Sequence, residues 1–278
     1  MDTFLLDTLL RNFLAEDLEH GDITTEAIFS SEDRARACFI ARHPMTVVGM
    51  ASVATRVFQL LDPAVACTGA VADGSRVDRG EVLLCLSGAT RTLLRGERVA
   101  LNLAQRLCGI ATLTSAFADA VKHTRAKIVD TRKTTPGLRL LEKYAVRASG
   151  GRNHRYSLSD GVLIKDNHIA ACGSITEAVR RVRARVPHTI NVEVETDTLA
   201  QVEECLACGV GVIMLDNMDL ATMRRAVELI DGRAIIEASG GVNLETVRGI
   251  AETGVDIISV GALTHSARAC DIGMDWWE

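Results

Sequence analysis

Five short aliphatic runs in the second half of the chain begin 22 to 29 residues apart: GVLIKD at 161, INVEVE at 190, VIMLDN at 212, AIIEAS at 234 and DIISVG at 256. A sixth, KIVD, stands ahead of them at 127. The interval is that of one strand plus one helix, which leaves few folds open. Because the runs are continuous rather than alternating, each strand is expected to be covered on both faces, as in a parallel sheet flanked by helices. Helix starts are marked by Ser174 with Glu177, by Asp219 and by Asn243, and stops by Gly209, Gly232 and Gly254. The expected architecture is α/β, a parallel barrel of the TIM type.

The chain ahead of this repeat reads differently. Residues 4–18 carry Phe4, Leu5, Leu9, Phe13 and Leu14, a helical stripe expected to dock on an amino-terminal domain. RARACFIARHPMTVVGM and VACTGAVADGSRVDRGEVLLCLSG read as strands with turns at Asp73-Gly74 and Arg79-Gly80, and ASVATRVFQLL between them as a short helix. Residues 91–122 predict one or two helices, with Gly109 as the break.

Apolar residues make up 47% of the chain and aromatics only 4%, so the core is expected to be aliphatic. No apolar run reaches the roughly 18 residues that cross a bilayer, and the amino terminus is acidic and amphipathic rather than a cationic leader. The expectation is a soluble cytoplasmic protein with no membrane partner. Eight cysteines at 38, 67, 85, 108, 172, 205, 208 and 270 show no framework spacing and predict reduced, mostly buried thiols. Cys205 and Cys208 form a CxxC inside a helical pattern without a second Cys or His pair, which argues against a metal site there.

Residues 130–168 hold eight Lys or Arg against four Asp or Glu, in a protein whose formal charge is −5. Few aromatics accompany these cations and the rest of the chain is acidic, so a nucleic-acid surface is the weaker reading. Pro136-Gly137 and Gly150-Gly151 split the cations into short clusters on separate loops, a pattern suited to one compact polyanion. Arg139, Lys143 and Arg147 fall at helical spacing and are expected on a solvated helix face. Glu97-Arg98 reads locally as a surface ion pair of little energetic value.

Polar groups end every aliphatic run: Asp130 to Lys133, Lys165 to His168, Glu193 to Glu195, Asp216-Asn217, Glu237 to Gly241, and Gly261-Ala262. In a parallel barrel these ends open on one face, where a site is built. Charge carried toward an interior is costly unless a ligand neutralises it. Ser239-Gly240-Gly241 and Gly261-Ala262 after the last two strands match a phosphate cradle of backbone N–H groups. Glu195 and Asp216 lie between that cradle and the cationic loops, where carboxylates can bind sugar hydroxyls, help hold Mg²⁺ or support an oxocarbenium-like carbon. The order suggests joining a small acid to a phosphorylated sugar.

At these residues the chain resembles the quinolinate phosphoribosyltransferases. DTRKTTPGLR, GGRNHRYSLSDGVLIKDNHI, EVE, LDN, SGG and VGALTHS carry the likeness, with ERVALNLAQRLCGIAT upstream, and it extends from EDLEHGDITT to DIGMD. The resemblance implies an amino-terminal α/β sandwich domain over 1–108, to which 268–278 return, and a partly open α/β barrel over 109–267. It implies that quinolinate and 5-phosphoribosyl 1-diphosphate give nicotinate mononucleotide, diphosphate and CO2 with Mg²⁺, in a homodimer, possibly assembled further, whose sites are shared. By motif, Arg132, Lys133, His154, Arg155 and Lys165 would surround the quinolinate carboxylates and nearby phosphates, with Lys133 also catalytic. Arg98 would come from the partner subunit. Glu195 and Asp216 would serve the ribose and the metal, and Ser239, Gly240, Gly241, Gly261 and Ala262 the 5-phosphate. The motif positions show no departure, and Trp276-Trp277 is expected to pack on the amino-terminal domain. A relative associated with molybdenum transport shares the TRKT-like motif, but the likeness should weaken around Asn153-His154-Arg155 and Lys165 to His168. A non-catalytic phosphosugar-binding barrel would leave the cations, Glu195 and Asp216 without a purpose.

Overall fold

The computed structural model describes residues 1–277, and contacts divide them into two units. The first comprises residues 1–113, 140–149 and the stretch from 267 onward; the second comprises residues 114–139 and 150–266.

The first unit begins with α1 (Thr3–Leu18) and α2 (Ile23–Ile28), each capped by an aspartate side chain, Asp2 and Asp22, that accepts a backbone N–H. Strands β1 (Arg34–Ala41) and β2 (Met45–Thr46) follow, then a π-helical turn at Met50–Ala54 running into α3 (Thr55–Leu61). Next come β3 (Ala66–Thr68), β4 (Arg76–Val77) and β5 (Val82–Ala89). β1 and β5 pair antiparallel, and the carboxyl-terminal β12 (Ile272–Trp277) adds to the other side of β1, with Ala37 opposite Trp276. Buried Phe39 of β1 meets buried Phe58 of α3 edge to face, centroids 6.2 Å apart.

Three expectations for this unit are corrected. The docking face of α1 is Leu6, Leu10 and Leu14, while Phe4 and Leu5 are exposed. Burial of those three leucines sets the rotation, and a bidentate pair from Arg56 to Asp7 joins the helix to α3 beside Leu6. Cys38 and Cys85, expected reduced, are joined in a disulfide: antiparallel register sets them directly opposite, Cα atoms 4.2 Å apart, although 47 residues separate them in sequence. The third concerns Gly109. It does not break the helix; α4 (Thr90–Val121) is one continuous 32-residue helix. A Cβ there would meet the carbonyl of Arg268 and lie 3.2 Å from the Cα of Ala269, so the glycine admits a crossing backbone.

The helix α5 (Arg139–Ala148) corrects a fourth reading. Residues 140–149 pack within the first unit, and Leu141, Glu142, Lys143, Ala145 and Val146 are all buried. Glu142 accepts from Arg106 of α4 at 2.8 Å. Lys143 is therefore no part of a solvated face, Arg139 is half-buried between Thr134 and the Tyr156 carbonyl, and only Arg147 is exposed. Helical spacing cannot reveal that both sides of a short helix are covered.

In the second unit the expected repeat is realised. Strands β6 (Lys127–Val129), β7 (Val162–Ile164), β8 (Val192–Thr196), β9 (Val212–Asp216), β10 (Ile235–Ser239) and β11 (Ile257–Ser259) form one parallel sheet in the order β6-β11-β10-β9-β8-β7. The intervening helices are α6 (Asp166–Cys172), α7 (Ile175–Arg183), α8 (Leu199–Ala207), α9 (Leu220–Ile230), α10 (Val247–Ala251) and α11 (Ala262–His265). β6 and β7 do not pair; instead Val129 makes a single parallel bridge to Arg152, so the barrel is partly open on that side. Ser174, Thr198 and Asp219 cap α7, α8 and α9 through their side chains. No helix among the described residues is long and apolar enough to cross a membrane.

Candidate active site

Because all six strands are parallel, their carboxyl ends lie on one side, and the second unit opens there into a cleft of about 560 Å³. Alternation of side chains along a strand decides which groups enter it: Glu195 near the end of β8, Asp216 at the end of β9 and Ser239 at the end of β10 all line the cleft. Arg132, Lys133, His154, Arg155, Lys165, Gly240 and Gly241 line it too, so ten of the thirteen expected residues converge.

The other three are not among the lining residues. Gly261 precedes α11, and a Cβ on it would stand 2.9 Å from the Cδ of Lys133, so its bareness makes room for that lysine. Ala262 is the first residue of α11. Arg98 lies on α4 in the part belonging to the first unit, 60% exposed and only 4.0 Å from Glu97, a loose pair that leaves its charge available.

Cations dominate one wall. The Nε of Arg132 is buried and has no hydrogen-bond acceptor among the described residues. An orphaned guanidinium N–H is a costly thing to bury without a ligand. Arg155 donates through Nη1 to the Gly161 carbonyl at 2.8 Å. Burial lowers its pKa from the ordinary arginine value, the Arg132 charge lowers it further, and Glu193 opposes both. Two guanidiniums held together in this way form a site that an anion relieves. Lys165, at the amino end of α6, donates to Glu195 at 2.5 Å. Lys133 is anchored through its backbone, its N–H to Thr131 and its carbonyl to the Thr264 hydroxyl.

The opposite wall is a backbone turn. Gly240 and Gly241 both have left-handed φ, 93° and 58°, and Asn217 beside them is at 53°. A Cβ on Gly240 would strike the Asn217 side chain, whereas one on Gly241 would meet nothing within 4 Å. Asn217 in turn donates to Asp216 at 2.6 Å and through its backbone to Ser239 at 3.0 Å, tying the ends of β9 and β10 together.

Sequence reasoning missed the layer beneath. Asp130, fully buried at the end of β6, accepts from the backbone of His154 at 3.0 Å and from the side chain of Asn153 at 2.5 Å, and so holds the loop that carries His154 and Arg155. Glu193 and Glu237, two residues inward of Glu195 and Ser239, are buried against the ring of His154. Burial, then the charge of Glu193, raises the Glu237 carboxyl above its ordinary range, and His154 opposes the shift. Both glutamates stood among the strand ends expected to converge on one face; that they would meet the ring of His154 was not visible. At the CxxC, burial pushes the Cys205 thiol up to about 12, which disfavours a thiolate ligand.

Residues 110–275 match the family model described as the quinolinate phosphoribosyl transferase C-terminal domain, and residues 22–108 match the corresponding N-terminal domain. The chain belongs to the quinolinate phosphoribosyltransferase family. Among members of that family, the probable nicotinate-nucleotide pyrophosphorylase [carboxylating] of Bacillus subtilis is 46% identical over 99% of this chain and 94% of its own length. The nicotinate-nucleotide pyrophosphorylase [carboxylating] of Mycobacterium leprae is 46% identical over 96% and 95%. The solved structure of NadC from Streptococcus pyogenes superposes with a TM-score of 0.95 at 43% identity, covering 100% of this chain and 99% of that one. The family's two domain models thus match the amino-terminal and the carboxyl-terminal parts of the chain.

Proposed function

We propose that this chain transfers the phosphoribosyl group of 5-phosphoribosyl 1-diphosphate to quinolinate with decarboxylation, giving nicotinate mononucleotide, diphosphate and CO2 in NAD biosynthesis. Family membership over both domains supports the reaction. The observation that carries it at the site is the buried Nε of Arg132, which has no acceptor among the described residues, beside Arg155 in a cleft also lined by the Ser239-Gly240-Gly241 turn. Quinolinate is a dianion and its co-substrate a polyanion, so fixed cations must offset their mutual repulsion.

In this reading Arg132, Lys133, Arg155 and Lys165 bind the two carboxylates and orient the pyridine nitrogen toward the anomeric carbon. Backbone N–H groups at Ser239, Gly240, Gly241, Gly261 and Ala262 hold the 5-phosphate. Glu195 and Asp216 accept from the ribose hydroxyls and support the positive charge that develops on the sugar as diphosphate leaves. Once the nitrogen is quaternised, the C2–carboxylate bond breaks as CO2 departs, the electron pair stays on C2 beside the positive nitrogen, and a proton from water takes the place of the carboxylate. Glu195 and Asp216 are hard oxygen donors, which suits Mg²⁺ shared with substrate phosphates, and a bound Mg²⁺ would neutralise charge on the leaving diphosphate. The setting is cytoplasmic and the working unit a homodimer in which the exposed Arg98 completes the partner's site.

A turnover assay on the purified chain with quinolinate, 5-phosphoribosyl 1-diphosphate and Mg²⁺ is expected to release nicotinate mononucleotide and CO2 in equal amounts. Nicotinate, which lacks the 2-carboxylate, should be a poor substitute. Binding of the phosphosugar without turnover would instead mean a binding-only barrel. The shared site predicts complementation: inactive Arg98→Ala and Lys165→Ala chains, mixed, should regain part of the activity. Absence of recovery despite demonstrated subunit exchange would remove Arg98 from the site.

A further inference from the structure

His154 of the cleft rests on Glu193 and Glu237. Its Nε2 lies 3.2 Å from Oε2 of Glu193 and 3.5 Å from Oε1 of Glu237, and Oε1 of each glutamate is buried without a hydrogen-bond partner among the described residues. The three ligand-type atoms fall within 4.8 Å of one another, a spacing that would suit a cation. The imidazole argues otherwise. Its Nδ1 accepts the backbone N–H of Arg155 at 2.8 Å, so the ring hydrogen sits on Nε2, and a nitrogen that carries a hydrogen cannot ligate a metal.

Two carboxylates buried in a barrel interior are expensive, and packing alone would favour aliphatic side chains there. What they face is the one N–H that decides the tautomer. We propose that Glu193 and Glu237 are positioning residues: Glu193 holds Nε2–H of His154 and the Glu237 carboxyl backs it from 3.5 Å, which keeps Nδ1 as the acceptor for the Arg155 N–H and so aims the Arg155 side chain into the cleft. Asp130 completes the arrangement by gripping the His154 N–H from the other side, so the ring and the backbone of this residue are fixed by separate carboxylates. The consequence for binding rests on the reading of Arg155 as a quinolinate cation; the tautomer does not.

The test uses the full chain. Two-bond ¹H–¹⁵N spectra of histidine-labelled protein at neutral pH, with His154→Gln identifying the signal, should show His154 protonated at Nε2 and bare at Nδ1, with no substrate present. A His154 protonated at Nδ1 overturns the proposal, whatever the chain's activity. Glu193→Leu and Glu237→Leu should each raise the KM for quinolinate on the order of tenfold while the KM for 5-phosphoribosyl 1-diphosphate moves less than about twofold. Glu193→Gln retains a carbonyl that accepts Nε2–H, so it should stay within about threefold of the parent. Equal rises in both KM values, or a Gln variant as impaired as the Leu variant, would mean that the carboxyls serve only to support the barrel. If the Leu variants fail to fold, the spectrum of the parent and the kinetics of the Gln variant still decide.

Discussion

Replacing Arg155 by Ala is expected to raise the KM for quinolinate on the order of 10- to 100-fold and to leave the fold intact. The side chain spends one guanidinium nitrogen on the Gly161 carbonyl and otherwise stands beside a second guanidinium, that of Arg132, whose Nε has no acceptor among the described residues. Two guanidiniums held this close repel each other, and a dianion bound between them relieves that repulsion. A charge-assisted hydrogen bond contributes about 1.5 to 3 kcal/mol, and each 1.4 kcal/mol is about tenfold in binding, which sets the predicted range. The KM for 5-phosphoribosyl 1-diphosphate should move much less, because in the proposed arrangement Arg155 binds the acid and the Gly240-Gly241 turn the phosphate. Steady-state kinetics with each substrate varied in turn, alongside circular dichroism, check this. An unchanged quinolinate KM in a folded variant would take Arg155 out of the site.

The other large effect is expected from Gly240→Ala. The residue has φ 93°, and a Cβ would collide with the side chain of Asn217 and stand 2.8 Å from its backbone nitrogen. Strain and overlap together should destabilise the chain by roughly 1 to 3 kcal/mol. The functional loss should be greater than that figure suggests. Asn217 ties β9 to β10 through Asp216 and Ser239, so pushing it aside displaces a carboxylate and the phosphate turn together. A shift of about 1 Å in such a site can cost on the order of 100-fold, and kcat/KM for 5-phosphoribosyl 1-diphosphate should fall by about that much. Gly241→Ala is the control. Its left-handed φ of 58° is also unfavourable to alanine, but the added Cβ meets nothing within 4 Å, so the melting temperature should drop less. Parent-like kinetics in Gly240→Ala would show that the turn tolerates displacement and holds no phosphate.

Much of the barrel could be read before any coordinates, because its signals are local. A strand-plus-helix interval, continuous aliphatic runs, and caps at Ser174 and Asp219 each depend on residues a few positions apart, and the structure realises all of them. Ten of the expected site residues meet in the cleft for the same reason: parallel strands bring their carboxyl ends to one side, so naming the end of each strand named the wall. The amino-terminal stripe was less legible. Seven apolar residues crowd residues 4–14 of α1, too wide a sector to give a rotation; in the fold Leu6, Leu10 and Leu14 are the ones buried.

The residues themselves determined that this chain makes a parallel α/β barrel, that charge gathers at its carboxyl face, and which side chains do the gathering. Tertiary structure decided four things that no periodicity encodes. Antiparallel register joined Cys38 to Cys85, and a crossing backbone at Arg268 gave Gly109 its purpose. Cover on both sides of α5 buried Lys143. The order of the strands in the sheet brought Glu193, Glu237 and His154 together from three separate segments. Secondary structure answers to neighbours along the chain, whereas burial, pairing and protonation answer to neighbours in space, and those exist only once the strands have found their order.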